Sequence, residues 1–145
     1  MFVLSCFSHI LPYDRLIIVT KCKISKTFGS GFIFRADSTT SNFYLFRVCQ
    51  DGTVAFFVYG NNIASTAGTL LSPHFESAMN AGLNQINLVA VVARGYIFDL
   101  FVNHHKVANI IDNNYSGGQI GVDADSYPGN DPTEVVYSNA KVWVL

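Results

Sequence analysis

The feature that most constrains the fold is the dipeptide Asp51-Gly52, which lies between two apolar runs. Asp-Gly is a preferred pair for a two-residue β-hairpin turn of type I′, because both central residues take a positive φ. The turn predicts a hairpin in which Phe46 lies opposite Phe57. We therefore expect a chain that is built from antiparallel strands.

The predicted register divides the side chains of this hairpin between two faces, because residues directly opposite each other point to the same side. One face carries no charge and is expected to form the core. The other carries Arg47 and is expected to lie outside, because an unpaired guanidinium is costly to bury. The predicted core face holds Tyr44, Phe46, Val48, Ala55, Phe57 and Tyr59, and the predicted outer face holds Phe43, Leu45, Arg47, Cys49, Val54, Phe56 and Val58.

Four residues are the candidates for ligand binding. By strand alternation Arg35, in the preceding apolar run, shares the outer face with Arg47, Phe43 and Phe56. Sugars are held by aromatic faces and by groups that make planar hydrogen bonds, and Arg supplies several fixed donors. The alternative is that these residues pack under a loop or a partner subunit.

The composition is that of one β-rich domain spanning residues 1–145. Hydrophobic residues make up 50%, aromatic residues 14% and charged residues 13%, with a formal net charge of -1. The low charge argues against nucleic-acid binding by phosphate neutralisation and favours a surface that is covered in an oligomer or in a larger parent protein. No apolar stretch is long enough to predict membrane insertion. The first residues lack the basic start and cleavage site of a signal peptide, and three cysteines leave at least one thiol free.

Further strands follow at intervals of about ten residues, separated by turn signals. A turn at Arg94-Gly95 places Val89 and Val91 on the same face as Phe98. Residues 72–84 are the one segment in which a helix of one or two turns is predicted, since Ser and Pro open the segment and a Glu favours its N-terminal end. An irregular loop is the alternative. The pattern predicts an all-β, antiparallel β-sandwich with at most one short helix.

Five segments have the order and spacing of a known superfamily. They are residues 31–35 (GFIFR), 42–47 (NFYLFR), 100–103 (LFVN), 115–121 (YSGGQIG) and 136–143 (VYSNAKVW). With them the chain resembles the concanavalin A-like lectin/glucanase superfamily, and among its members the bacterial domains grouped with laminin-G-like and 3-keto-disaccharide-hydrolase-like modules.

The resemblance implies a jelly-roll sandwich of two curved sheets that binds glycans on its concave sheet or on rim loops, in an extracytoplasmic protein. The chain departs from the family at His104, where Gly is usual, and at Ser138, where Asp is usual. Its N-terminal strand region is short relative to the family. A short region predicts an open sheet edge, so a homo-oligomer is expected to form through that edge or through the apolar outer face.

Catalysis is not predicted. Retaining glycosidases need two carboxylates about 5 Å apart, and the two Glu residues, Glu76 and Glu134, show no such arrangement in the sequence. A keto-sugar hydrolase-like enzyme likewise has no recognisable catalytic set.

No cofactor is predicted, with calcium as the alternative. Asp123, Asp125 and Asp131 lie in an oxygen-rich segment, and calcium takes six to eight oxygen ligands. An ordinary solvated loop explains the same residues. The sequence predicts a non-catalytic, lectin-like carbohydrate-binding or accessory module, and alternatively a structural or protein-interaction domain without a small ligand.

Overall fold

A computed structural model describes residues 2–11 (as backbone), 15–26, 28–61, 68–125 and 132–145. Within these residues the chain forms antiparallel strands that are divided between two sheets. The strands are β1 (Phe2–Leu11), β2 (Arg15–Lys26), β3 (Gly29–Asp37), β4 (Asn42–Cys49), β5 (Thr53–Tyr59), β6 (Thr69–Phe75), β7 (Ile86–Arg94), β8 (Ile97–Val102), β9 (His105–Ile111), β10 (Gly118–Asp125) and β11 (Glu134–Val144).

The two sheets pack face to face as a jelly-roll β-sandwich, which confirms the predicted fold class. One sheet has six strands in the order β1-β10-β3-β4-β5-β6, and the other has five in the order β11-β2-β7-β8-β9. Every pair of neighbouring strands is antiparallel.

The helix predicted within residues 72–84 is absent, because the described residues contain no helix, and the alternative of an irregular loop holds for residues 76–84. The first part of the segment belongs to β6 at the edge of the six-stranded sheet. Pro73 is tolerated there because the outer side of an edge strand needs no ladder hydrogen bond from its nitrogen. No helix of the described part has the length and apolarity to cross a membrane.

The core lies between the two sheets and is centred on four aromatic rings. Phe34, Tyr44 and Phe56 come from three neighbouring strands of one sheet, and Phe98 comes from the other. Their ring centroids lie 4.9–5.8 Å apart. Full burial of each such ring stabilises the fold by about 1.5–3 kcal/mol, so this cluster fixes how the sheets face each other.

The turn at Asp51-Gly52 exists, but its predicted register is wrong by one residue. The loop has three residues, 50–52, so Phe46 lies opposite Phe56 instead of Phe57. Gly52 has a φ of 88° and donates its N–H to the carbonyl of Cys49 at 3.0 Å. This is the three-residue hairpin in which a type I turn is followed by a left-handed glycine.

A shift of one residue moves every side chain of β5 to the opposite face, because side chains alternate with a period of two. Phe56 and Val58 therefore lie in the core, and Phe57 and Tyr59 lie on the outer face. The prediction that Phe56 belongs to the outer face is wrong. The prediction that Arg47 lies on the outer face is confirmed by its pairing with Ala55, outside the core cluster.

Arg35 does not share the outer face either. A β-bulge between Phe34 and Asp37 inserts one residue into β3, and Arg35 takes a φ of 50° within it. The bulge turns the Arg35 side chain inward, where it is 3% exposed. Backbone carbonyls and the Phe98 ring, described below, offset the cost of burying its charge.

Candidate functional site

The outer face of the six-stranded sheet is lined by small residues at its centre. The register across β10, β3, β4 and β5 places Asp123, Gly31, Arg47 and Ala55 in one row. Gly31 is required there because a Cβ atom would lie 2.1 Å from the carbonyl oxygen of Phe46. The Arg47 side chain runs beside Gly29, where an added Cβ atom would lie 3.6 Å from the Arg47 Cδ atom.

Arg47 contacts two rings and one carboxylate on this face. Its guanidinium carbon lies 4.7 Å from the centroid of Phe57 and 5.4 Å from that of Phe28. Its Nη1 atom lies 3.3 Å from Asp125 Oδ2. The side chains of Arg47 and Asp125 remain 18% and 16% exposed. We call Phe28, Arg47, Phe57 and Asp125 the Arg47 cluster.

Aromatic rings continue the Arg47 cluster along β4 and β5. Phe57 and Tyr59 have ring centroids 6.0 Å apart, and Tyr59 stacks on Phe43 at 4.8 Å. Tyr59 is 37% exposed, so one of these rings is partly open to solvent. The face thus combines ring surfaces with the charged atoms of Arg47 and Asp125.

Asp123 is the unusual residue of this face. It is 1% exposed, and neither of its carboxylate oxygens has a hydrogen-bond partner among the described residues. Burial, and next the negative charge of Asp125, raise the pKa of Asp123 to about 7, against the opposing charge of Arg47. The carboxyl group is therefore partly protonated at neutral pH.

Of the three residues on which the calcium alternative rests, the structure describes Asp123 and Asp125, which share the outer face of β10. Asp131 lies outside the described residues, and Asp125 is already paired with Arg47, whose charge opposes a cation. No group of three metal-ligating side chains occurs among the residues that are described. The described residues do not by themselves fit a calcium site, and we derive no role for calcium.

Arg35 lies at one end of the sandwich and not on the outer face with Arg47. Its Nη1 donates to the carbonyl of Tyr115 at 2.8 Å, and its Nη2 donates to that of Gly95 at 2.5 Å. Its guanidinium carbon also lies 4.7 Å from the centroid of Phe98. A small recess of about 150 Å³ opens beside it and is lined by Arg35, Gly95, Tyr96, Asn113, Tyr115 and Ser116.

A larger cleft at the same end escaped the sequence analysis. It has a volume of about 510 Å³, within the range of small-molecule sites. No motif marks it, because it forms where the β3–β4 turn meets the segment before β10. It is lined by Ala36, Asp37, Ser38, Thr39, Ser116, Gly117, Gly118 and Gln119.

Of the four predicted binding residues, the structure brings together Arg47 and Phe43 on the outer face and places Arg35 and Phe56 elsewhere. Phe28, Phe57 and Tyr59 also belong to this face and were not predicted there from the sequence. The last two become visible once the hairpin register is corrected, because both then alternate with core residues. Phe28 precedes β3 and carries no pattern that marks it.

Comparison by sequence gives no matching family model and no matching curated protein. Comparison of structures gives clear neighbours. The carbohydrate-binding module CBM66 from Bacillus subtilis superposes with a TM-score of 0.70 at 18% identity, over 93% of this chain and 77% of that one. Sheep galectin-11 gives a TM-score of 0.62 at 11% identity, over 98% and 95% of the two chains.

A homodimeric agglutinin from chicken liver, CG-16, gives a TM-score of 0.59 at 11% identity, over 98% of each chain. At these identities the likeness concerns the fold. The arrangement of the six-stranded and five-stranded antiparallel sheets is the one that these neighbours share. The chain has the concanavalin A-like lectin/glucanase-type fold.

Proposed function

We propose that this protein is a non-catalytic carbohydrate-binding module that binds its ligand at the Arg47 cluster. The observation that carries the proposal is the Arg47 guanidinium, which lies within cation–π distance of the Phe28 and Phe57 rings on an outer sheet face and stays partly exposed. The names of the structural neighbours, a carbohydrate-binding module, a galectin and an agglutinin, support the same class.

The chemistry of the cluster suits a sugar. A pyranose ring offers C–H groups on its faces and hydroxyl groups around its rim. The partly exposed Tyr59 ring presents a surface for the C–H groups, and Arg47 and Asp125 present a fixed donor fork and an acceptor for the hydroxyls. The packing of Arg47 against two rings fixes its geometry before binding, which lowers the entropic cost of association.

Hydrolysis is a poorer explanation of the same face. Asp123 and Asp125 are two residues apart on β10, and two nearby carboxyl groups are what a glycosidase needs. However, Asp123 is buried, so its carboxyl group does not reach a glycosidic oxygen. We therefore assign this pair to the support of Arg47 and expect no release of reducing sugar from any bound glycan.

The test is a glycan-array screen followed by calorimetry on the ligands found, for wild type, Arg47→Ala and Arg15→Ala. Arg15→Ala is the matched control, because it removes an exposed guanidinium from the five-stranded sheet. Loss of hydrogen bonds to a charged group costs about 1.5–3 kcal/mol, so Arg47→Ala should weaken binding by roughly 10- to 150-fold. Arg15→Ala should leave it unchanged.

Two outcomes would overturn the assignment. Undiminished binding by folded Arg47→Ala, with loss of binding in Gln119→Ala, would place the glycan in the 510 Å³ cleft at the end of the sandwich. Absence of binding to any glycan would remove the proposed function altogether.

A second candidate function is assembly without a small ligand, and the exposed edge strand β11 favours it. In its second half Val142, Trp143 and Val144 are all exposed, together with Leu145 beyond the strand. An uncovered edge strand presents unpaired backbone groups to another chain. Light scattering tests self-association directly: a stable dimer that binds no glycan would favour assembly, and a monomer would exclude assembly between copies of this chain.

A further inference from the structure

The outer face of the five-stranded sheet carries most of the positive charge of the chain. In β2, Leu16 and Ile18 point into the core, so the alternate residues point outward. The antiparallel register places the outward residues of the other strands beside them. Six of the nine Lys and Arg residues lie on this face: Arg15, Lys21, Lys23, Arg94, Lys106 and Lys141.

One carboxylate, that of Asp99, lies among these cations. Arg94 pairs with its Oδ2, and the Lys106 Nζ atom lies 2.9 Å from its Oδ1, to which Asn109 also donates at 2.7 Å. Burial opposes the charge of Asp99, but the hydrogen bonds from Asn109 and Lys106 and the nearby cations outweigh it and hold the pKa below its ordinary value. Asp99 therefore stays ionised and offsets one cation.

The remaining four cations of this face, Arg15, Lys21, Lys23 and Lys141, have no carboxylate within ion-pair distance in the described parts of the chain. Lys21 and Lys23 are two residues apart on β2, which spaces them by about 7 Å. This face is therefore strongly positive although the whole chain has a formal net charge of -1.

Apolar side chains lie between the cations. The register aligns Trp143 of β11 with Ile17 of β2, and Ile17 with Val92 of β7, so an apolar row crosses three strands. Trp143, Ile86 and Val136 are 46%, 56% and 46% exposed. A partner that matches this surface offers negative charge together with an apolar phase.

We propose that this face docks onto a lipid bilayer that contains anionic headgroups. Each Lys or Arg close to such a surface adds attraction that decays within the Debye length. Trp side chains favour the boundary between headgroups and acyl chains, and the apolar stems of Lys lie along apolar surface while the ammonium groups stay in water. Five strands span about 20 Å, so several cations reach one membrane plane together.

Other partners match only part of the surface. A second copy bound face to face would bring two sets of like charges together, which disfavours that contact. A soluble polyanion would neutralise the cations but leave the apolar row without a partner. The bilayer satisfies both features, and it leaves the Arg47 cluster on the opposite outer face of the sandwich free to bind a glycan.

The test measures co-sedimentation of the intact chain with vesicles of phosphatidylcholine alone and with vesicles that contain phosphatidylserine, at low and high salt. Wild type is expected to bind the anionic vesicles and to be released by salt. The double variant Lys21→Gln/Lys23→Gln should bind roughly 30-fold more weakly, from the usual contribution of a surface cation. Trp143→Ala should weaken binding further without changing its salt dependence.

The matched control is Ser38→Glu/Ser72→Glu, which changes the net charge by the same amount at two exposed positions outside the five-stranded sheet. It should bind the anionic vesicles as wild type does. Equal binding by wild type and the Lys double variant would overturn the proposal. So would binding to heparin or to nucleic acid with no vesicle binding, because the face would then belong to a soluble polyanion.

Discussion

The buried carboxyl group of Asp123 makes the stability of this protein depend on pH in an unusual direction. A carboxyl group whose pKa is raised in the folded state holds its proton more tightly there than in the unfolded chain. Below the pKa of the unfolded chain both states are protonated, so the group does not change the free energy of unfolding. That free energy falls as the pH rises from the pKa of the unfolded chain to the pKa of the folded protein. For Asp123 that window runs from 3.8 to about 7.

The magnitude follows from the width of the window. Each pKa unit corresponds to about 1.36 kcal/mol, so a rise from 3.8 to about 7 costs the fold about 4 kcal/mol at pH 8 relative to pH 3. The variant Asp123→Asn cannot ionise and avoids this loss. Its buried amide has the same shortage of partners as the protonated acid, but that cost does not change with pH.

The assay is urea unfolding of wild type and Asp123→Asn between pH 3 and pH 8. The free energy of unfolding of the variant, relative to wild type, should increase by about 4 kcal/mol across this range. Asp37→Asn is the control of opposite sign, because hydrogen bonds from Thr39 lower the pKa of exposed Asp37. Asp37→Asn should be less stable than wild type at pH 8, and the difference in their free energies of unfolding should not change between pH 5 and pH 8. Parallel profiles for wild type and Asp123→Asn would refute the argument that Asp123 is buried without donors.

Two further predictions concern buried polar groups. Arg35→Met should lower the free energy of unfolding by about 3–5 kcal/mol, because two backbone carbonyls lose a charged donor. Arg35→Lys should recover part of this loss. A loss below about 1 kcal/mol in Arg35→Met would contradict the assigned contacts. Burial raises the pKa of Cys22 to about 11 and that of Cys49 above its usual value. Site-resolved thiol labelling at pH 8 should therefore be slow in the native protein and fast in urea, and equal rates would contradict the burial of both thiols.

Two hairpins show which part of the fold could be predicted from the sequence. The turn predicted at Arg94-Gly95 lies one residue later, and Arg94 pairs with Ile97, a shift of two in register. An even shift keeps every side chain on its face, so Val89, Val91 and Phe98 share the core as predicted. The shift at Asp51-Gly52 is odd, so it moved every side chain of β5 to the opposite face.

The odd shift could not be excluded from local sequence. Asp-Gly suits a two-residue turn, but it equally suits a three-residue loop whose last residue is a left-handed glycine. The structure selects the second because Asp51 Oδ1 accepts the N–H of Thr53 at 2.9 Å and its hydroxyl at 2.7 Å, while Gly52 binds the Cys49 carbonyl. A polar Gln50 is acceptable in either arrangement, so the apolar pattern does not decide between them.

The two arginines show why the same physical argument succeeded once and failed once. The cost of burying an unpaired guanidinium places Arg47 on the outer face, where Asp125 and two rings accompany it. Arg35 can be buried because it is paired: backbone carbonyls 60 and 80 residues away in the chain accept its hydrogen bonds. Strand alternation in a sequence predicts which charged side chains would be costly to bury if they were unpaired. The hydrogen-bond partners that offset this cost come from distant parts of the chain, which the topology brings together. A candidate site built from charged residues therefore stays a hypothesis until the long-range contacts of each charge are known.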